Sequence, residues 1–201
     1  MTDTVSDLPL FLLNSVLLPE QRLPLKVFEP RYFDMVSSCL KQERPFGVCL
    51  IAAGEEVGKA AVPAPIGTLA HIEQWDMAQA GILFILVRGG ARFEIQSQRV
   101  EGNRVIADVR LWPNEPAVPL PAELQELCTL LKRALEDTPG KAVPEPHRLD
   151  DASWVGMRLA QLLPVDNAQR QVWLAQQDPL VRLHDIRAAL HGLRQAHDNG
   201  D

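Results

Sequence analysis

The spacing of apolar residues along the chain changes near residue 113. Before this point, apolar residues form short runs broken by glycine and proline, which predicts β-strands. After it they recur about every three to four positions, which predicts amphipathic helices. Four prolines crowd the border, where they can neither donate to a sheet nor continue a helix: Pro113, Pro116, Pro119 and Pro121. We therefore expect an α+β chain, with a β subdomain over residues 1–113 and a helical bundle over residues 114–201.

The first part of the β subdomain is expected to hold three strands and one helix. Apolar runs predict strands over Leu8–Leu13, Leu23–Val27 and Phe46–Ala52. A helix should begin between the second and third strands at Pro30, because proline suits a first helical position. The stretch Gly54–Pro65 is rich in Gly, Glu, Ala and Pro, and we expect it to be a surface loop.

Four further segments predict an antiparallel meander. Gly81, Gly89-Gly90 and Gly102-Asn103 separate them, and Gly-Gly and Gly-Asn supply the positive φ values of tight hairpins. In the last two segments apolar and polar residues alternate, so one face should be core and the other, including Arg92 and Asp108, should meet water. The segments are Ile66–Met77, Ile82–Arg88, Ala91–Gln98 and Arg104–Trp112.

The helical bundle should contain about four helices, each with a recognisable start. Pro121 begins the first, which Thr138-Pro139-Gly140 should end. The second begins near Asp151. Asp166, with Gln169 three residues later, is typical of a capping box, and Asp178 precedes the last helix, which carries Leu183, Ile186, Leu190 and Leu193.

Composition and charge exclude several classes of protein. Lys and Arg number 20 against 26 Asp and Glu, giving a formal net charge of −6, which disfavours binding driven by phosphate neutralisation. The cysteines are Cys39, Cys49 and Cys128, an odd number without a C-x-x-C pair, so we expect no disulfide framework, no zinc site and a reducing compartment, the cytoplasm. The N-terminus is acidic and the apolar runs are short, so we expect neither export nor contact with a membrane.

The chain offers no recognisable catalytic, cofactor or metal motif. Gly54–Ala60 resembles a phosphate loop, but its glycines stand too close together and Ala60 replaces the Ser or Thr that would hold magnesium. No G-x-S-x-G elbow occurs. Lys26 is the lysine whose position suggests burial, and a Ser-Lys peptidase dyad stays a minor alternative. His184 and His191 share a helix face without a third ligand, so we expect no catalytic residue, cofactor or metal.

Nucleic acid is an alternative ligand. Residues 88–110 hold a modest excess of arginine over acidic residues. The predicted solvent face of these strands lacks the aromatic side chains on which bases stack, and aromatic residues make up 5% of the chain. Nucleic-acid binding is therefore not expected, although small β-barrels with a helical insertion often bind RNA.

Two blocks near the N-terminus resemble the opening of the Lon protease N-terminal domain family: LPLFLLNSVLLP over Leu8–Pro19 and LPLKVFEPRY over Leu23–Tyr32. Weaker similarities follow in the expected order. They are Phe46-Gly47-Val48, IGTLA from Ile66, GARF from Gly90 and LAQLLP from Leu159. The resemblance covers roughly residues 8–193.

The resemblance implies a PUA-like, mostly antiparallel β-barrel with one inserted helix, followed by a helical bundle. In full-length Lon this region recognises unfolded or damaged substrates for an ATPase and a protease. The 201 residues leave no room for those domains, so we expect a stand-alone recognition module that is not an enzyme. Its expected partners are unfolded or extended polypeptides, with a separate ATPase or protease as a further candidate.

The resemblance and the aromatic content nominate five substrate-binding residues. Glu29, Arg31 and Arg92 match the family pattern, although bonds to the backbone at a helix start are a simpler role for the first two. Trp75 and Trp112 are candidate anchors near strand ends, although a core position is favoured for each. We expect extended apolar polypeptide to bind in a groove between barrel and helices. The alternative is a small-molecule or RNA-binding protein that uses the PUA-like barrel.

Overall fold

The computed structural model describes residues 3–56, 61–79, 81–137, 143 and 145–198, without the side chains of residues 78 and 193–198. The chain divides into two compact units, Met1–Asn114 and Glu115–Asp201. The predicted helix stop at Thr138-Pro139-Gly140, the phosphate-loop-like residues from 57 to 60 and the side chain of Leu193 lie outside the described residues.

Unit 1 is built on a sheet whose strand pairings close on themselves. The strands run in the order β1-β7-β6-β5-β3-β4, and β1 also pairs with β3. The β1–β3 pairing is parallel and the others are antiparallel. The elements are β1 Thr4–Leu13, β2 Arg22–Val27, α1 Pro30–Gln42, β3 Phe46–Ala53, β4 Val62–Pro63, β5 Ile66–Gln79, β6 Ile82–Glu101 and β7 Arg104–Leu111. The predicted α+β class, with a mostly antiparallel sheet and one inserted helix, is confirmed.

Strand β1 is buried on both faces, because it separates two apolar clusters. Leu8, Leu10 and Leu12 pack with residues from β3, β5, β6 and β7. Phe11 and Leu13 point the other way, into a second cluster that α1 covers with Tyr32, Met35, Val36 and Cys39. Successive side chains of a strand point to opposite faces, so this one apolar run supports both clusters. The helix begins at Pro30, as predicted.

The predicted turn at Gly89-Gly90 is wrong, since Ile82–Glu101 is one continuous strand. Neither glycine has a positive φ. Both are needed because the chain passes too close for a side chain: a Cβ at Gly89 would lie 2.1 Å from the carbonyl oxygen of Leu18, and one at Gly90 would lie 2.6 Å from His71. The other two glycine turns are confirmed, with φ of 79° at Gly81 and 54° at Gly102.

The loop predicted over Gly54–Pro65 is wrong at its C-terminal end. Val62 and Pro63 form β4, which pairs with Ala53 and Ile51 of β3. The Ala64 N–H then donates to the carbonyl of Leu50 at 2.8 Å, and Ala64 is buried. Apolar burial and these ladder bonds outweigh the turn-like composition of the segment.

Unit 2 contains the four predicted helices in its described residues. They are α2 Gln125–Asp137, preceded by a single 3₁₀ turn, α3 Ala152–Leu162, α4 Asn167–Ala175 and α5 Pro179–Asp198. The predicted caps are confirmed. Asp151 accepts a hydrogen bond from the Ser153 N–H, Asp166 from that of Gln169 and Asp178 from that of Leu180. These side chains satisfy amide groups that would otherwise lack partners at a helix start.

A buried arginine, which the sequence pattern does not predict, holds unit 2 together. Arg182 is 0% exposed, although it lies beside Leu183 on α5. Its guanidinium pairs with Glu115 through two nitrogens, with Nη1 to Oε2 at 2.9 Å. It also donates to the main-chain oxygens of Trp173, at 2.9 Å, and Gln176. A fully buried charge is tolerated because its donors meet carboxylate and carbonyl oxygens.

Glu115→Gln should destabilise the protein, because it removes the charge that compensates a buried guanidinium. We expect the free energy of unfolding to fall by about 3 kcal/mol in a urea titration. Glu126→Gln, at an exposed position in the first turn of α2, is the matched control and should change little. Equal stability of the two variants would contradict a structural role for the Arg182–Glu115 pair.

Gly89→Ala should destabilise unit 1, because the new methyl group would collide with the Leu18 carbonyl. We expect a loss of about 3 kcal/mol, near the upper end for overpacking. Gly192→Ala is the matched control: it lies in α5 with no atom near its Cβ position, so it should stabilise the helix by up to about 1 kcal/mol. Thermal melts of both variants test this, and an unchanged melting temperature for Gly89→Ala would contradict the close contact.

Candidate functional site

A cleft of about 140 Å³ opens beside β2 in unit 1. Its buried side is formed by Phe11 and Leu13 of β1 and Tyr32 of α1. The other lining residues are Pro24, Leu25, Lys26, Val27, Phe28, Glu29 and Glu56. The cleft is therefore apolar inside and carries charged groups at its mouth.

The size of the cleft limits what it can hold. An apolar cavity of about 150 Å³ accepts benzene, whereas pockets for drug-sized ligands measure about 300–1,000 Å³. The 140 Å³ of this cleft suit one aromatic or branched aliphatic side chain. It is too small to enclose a nucleotide or an organic cofactor.

Tyr32 forms a rigid, uncharged floor for the cleft. Its ring stacks on Phe11 with centroids 4.0 Å apart and an interplanar angle of 10°. Its hydroxyl oxygen accepts a hydrogen bond from the Leu12 N–H at 3.3 Å. Burial raises the pKa of the Tyr32 phenol, so it stays neutral at physiological pH.

Glu29 and Arg31, two of the nominated residues, lie together at the start of α1. The Arg31 guanidinium donates to the carbonyls of Asn103, at 3.0 Å, and Glu56, at 2.9 Å, and pairs with Glu29 at 3.1 Å. It also lies 4.5 Å from the centroid of the Tyr32 ring. Arg31 thus ties the helix start to two distant loops. Glu29 lines the cleft, and its side chain does not cap the helix.

Four large apolar side chains are exposed on β5, on β6 and just after β2, and one of them, Phe28, lines the cleft. We call Phe28, Trp75, Met77 and Phe84 the apolar rim; Trp75 is 60% and Phe28 54% exposed. With this exposure, the core position favoured for Trp75 is wrong. Trp75 pairs with Ile85 of β6, which in turn pairs with Leu25 of β2, so Trp75 lies about 10 Å from β2.

Arg92 and Trp112 form a separate pair away from the cleft lining. Arg92 is 6% exposed, so its predicted position on the solvent face is wrong. Its guanidinium lies 4.9 Å from the centroid of the Trp112 ring, and its carbonyl accepts a hydrogen bond from the Trp112 N–H at 2.8 Å. The cation–π contact helps to compensate for burial of the arginine, at a position where the alternation of apolar and polar residues along the strand predicts exposure to solvent. The structure therefore brings four of the five nominated residues together in two pairs, Glu29 with Arg31 and Arg92 with Trp112.

Comparisons with known proteins agree with this architecture. Residues 7–191 match the family model of the ATP-dependent protease La (LON) substrate-binding domain. A Lon N-terminal domain protein from Xanthomonas campestris is 39% identical, with a TM-score of 0.78 over 92% of this chain and 98% of that chain. No curated protein matched the sequence.

The chain belongs to the Lon substrate-binding domain family. The resemblance stated from the sequence is thereby confirmed. The N-terminal domain of Mycobacterium avium complex Lon protease is also similar, at 17% identity and a TM-score of 0.60 over 92% of this chain and 96% of that chain. At that identity the likeness shows a shared fold alone.

The described residues offer little for catalysis or metal binding. Within them, no group of three or more His, Cys, Asp or Glu side chains is placed to hold a metal ion. Burial raises the pKa of the Cys39 and Cys49 thiols, which disfavours the nucleophilic thiolate. Lys26 is exposed, so the burial expected of it is wrong. Helices in the described part of the chain are too short or too polar to span a membrane.

Sequence reasoning missed the cleft, because its floor residues read as ordinary strand and helix core. Phe11, Leu13 and Tyr32 are core positions, and they also leave a space beside β2. One signal was available. Pro24 lies inside a predicted strand, and proline within a sheet is confined to edges, so it marks β2 as a strand with a free side.

Arg31→Ala should destabilise unit 1, because it leaves two carbonyls and Glu29 without their donor. We expect the free energy of unfolding to fall by about 3 kcal/mol, measured by urea titration. Arg44→Ala, at an exposed position just after α1, is the matched control and should change stability little. If both variants unfold at the same urea concentration as the unmodified protein, Arg31 does not have this structural role, and ligand binding becomes the favoured role.

Proposed function

We propose that this chain binds polypeptides in an unfolded or extended conformation, without covalent chemistry. Its membership of a substrate-binding family makes it a recognition module. The observation that carries the finer proposal is a cleft sized for one side chain, together with the exposed apolar residues of the rim, which lie on β6 and on or just after strands that pair with it. Folded proteins bury the side chains that would complement such a surface, whereas unfolded chains expose them.

The chemistry of the rim suits weak and tolerant binding. Covering an exposed aromatic or methionine side chain is worth about 1.5–3 kcal/mol, and association itself costs several kcal/mol. The four residues are about half exposed and these terms partly cancel, so we expect weak binding, with dissociation constants no tighter than the micromolar range. Trp75 and Met77 favour tolerance, because tryptophan is enriched at binding hot spots and methionine adapts to different partners.

The alternative of RNA or a small molecule has weaker support. Glu29 and Glu56 line the cleft, and the chain carries a net charge of −6, which opposes binding to phosphates. The cleft is also smaller than ordinary small-molecule pockets. An absorbance ratio at 260 and 280 nm of the purified protein discriminates, because co-purifying nucleic acid would raise it.

The cellular setting is part of the proposal. Cys39, Cys49 and Cys128 are buried free thiols, as expected for a protein of the reducing cytoplasm. A module that binds polypeptide without acting on it would deliver its ligand elsewhere. A separate ATPase or protease is therefore a candidate partner, and an affinity pull-down from the native host tests for one.

Fluorescence anisotropy with labelled, reduced and carboxymethylated α-lactalbumin, a permanently unfolded chain, tests the proposal. We expect saturable binding in the range of about 1–50 µM, and none to native α-lactalbumin. Phe84→Ala and Trp75→Ala should each weaken binding by about fivefold to tenfold, which corresponds to about 1–1.4 kcal/mol.

Val100→Ala is the matched control, because Val100 is 61% exposed on β6 but lies outside the rim and the cleft lining. It should bind like the unmodified protein. No binding at about 50 µM would overturn the proposed function. Binding that is insensitive to both rim variants would instead overturn the assignment of the rim.

A further inference from the structure

Strand β2 is paired along one side. Its residues Arg22–Val27 pair antiparallel with Arg88–Leu83 of β6, and no other strand of the described residues pairs with it. Six consecutive residues, from Pro24 to Glu29, line the cleft. Because side chains alternate between the two faces of a strand, an unbroken run of lining residues means that the cleft follows the strand's free edge.

The register shows which main-chain groups face that edge. The Gly89 N–H donates to the Gln21 carbonyl at 2.9 Å and the Gly89 carbonyl accepts from the Glu20 N–H at 2.8 Å, so a bulge at Glu20 places Gln21 opposite Gly89 at a hydrogen-bonded position of the ladder. Hydrogen-bonded and non-bonded pairs alternate in an antiparallel ladder. Leu23, Leu25 and Val27 therefore bond to β6, whereas Arg22, Pro24 and Lys26 direct their main-chain groups away from it.

Pro24 agrees with this parity, because it has no N–H to contribute to the ladder. As Arg22 does at the start of the strand, Lys26 offers both an N–H and a carbonyl at the free edge. Among the residues that the structure describes, none donates to or accepts from these two groups. The edge has the donor and acceptor spacing of a strand that lacks its neighbour.

The geometry points to β-strand addition: a bound polypeptide segment pairs with the free edge of β2 and seats one apolar side chain in the cleft. This inference rests on the proposed polypeptide binding and gives that binding its main-chain contacts. Main-chain hydrogen bonds recognise an extended conformation rather than particular side chains, and recognition of many different unfolded chains requires this tolerance. The six residues of β2 match a segment of about 20 Å.

The charged side chains at the cleft favour a particular kind of residue near one end of the bound segment. Glu29 and Glu56 both line the cleft where β2 ends. A basic side chain of the ligand would meet two carboxylates there, of which Glu29 is already paired with Arg31 and Glu56 accepts a hydrogen bond from the Asn14 N–H. We therefore expect a basic residue near the seated apolar one, with a modest preference of about twofold to fivefold.

A second copy of this chain fits the edge less well. Antiparallel pairing of two β2 strands about a two-fold axis near Lys26 would set two lysines side by side. Like charges directly opposite each other destabilise a sheet, and edge lysines are a common protection against such pairing. A foreign polypeptide carries no such restriction.

Backbone N-methylation of a peptide tests strand addition without altering the protein. The probe is a fluorescein-labelled peptide of about eight residues, with leucine alternating with threonine and a terminal lysine. One derivative is methylated at the leucine nitrogens and its matched control at the threonine nitrogens. Since a strand offers alternate amides to each side, one derivative should bind at least about tenfold more weakly and the other within about twofold of the parent.

Lys26→Pro is the complementary change on the protein. It removes the edge N–H while leaving the ladder to β6 intact, because Lys26 does not donate to β6. We expect at least tenfold weaker binding of the peptide and of carboxymethylated α-lactalbumin. Lys26→Ala, which removes the charge and keeps the N–H, separates the two effects: it should weaken binding by no more than a third of the Lys26→Pro effect, and thermal melts check that both variants fold.

Each result decides between distinct explanations. Equal binding of both methylated peptides, or unfolded α-lactalbumin binding that Lys26→Pro leaves unchanged, overturns strand addition and leaves the proposed function standing. No binding of any unfolded chain overturns both. If sedimentation shows a dimer of the unmodified protein that Lys26→Pro makes monomeric, the edge is occupied by a second copy and the inference is wrong.

Discussion

The structure of unit 1 depends on the close contact between Gly89 and the turn before β2. The Gly89 N–H donates to the Gln21 carbonyl, its own carbonyl accepts from Glu20 at 2.8 Å, and the Leu18 carbonyl occupies the space of a side chain. These contacts set the register of β2 on β6. The register decides which main-chain groups of β2 are satisfied and which face the cleft. The candidate site is thus a consequence of one glycine in a long strand.

The charged side chains discussed above fall into two groups, buried arginines and residues that line the cleft. Arg31 and Arg182 are turned inward, where carbonyls and carboxylates satisfy their donors. They hold a helix start to loops in unit 1 and one helix to its neighbours in unit 2. Glu29, Glu56 and Lys26 line the mouth of the cleft instead. This arrangement explains how Arg31, which matches the family pattern, can be structural, and it leaves apolar residues and main chain for the recognition proposed above.

Much of the architecture follows from local sequence signals, because helix starts and caps depend on residues only a few positions apart. Pro30 starts α1, and Asp151, Asp166 and Asp178 cap helices where the sequence predicts them. Positions that depend on distant neighbours could not be predicted. Gly89 reads as a turn until Leu18 is placed against it, and Arg92 reads as exposed until Trp112 covers it.

Amide hydrogen exchange at single-residue resolution tests whether the free edge of β2 receives the bound polypeptide. In the free protein, the Lys26 amide should exchange rapidly, while those of Leu25 and Val27 are protected by the ladder to β6. Saturation with an unfolded polypeptide should slow exchange at Lys26 and leave its two neighbours unchanged. Protection of Lys26 in the free monomer, or binding that leaves its exchange unaltered, would contradict the account.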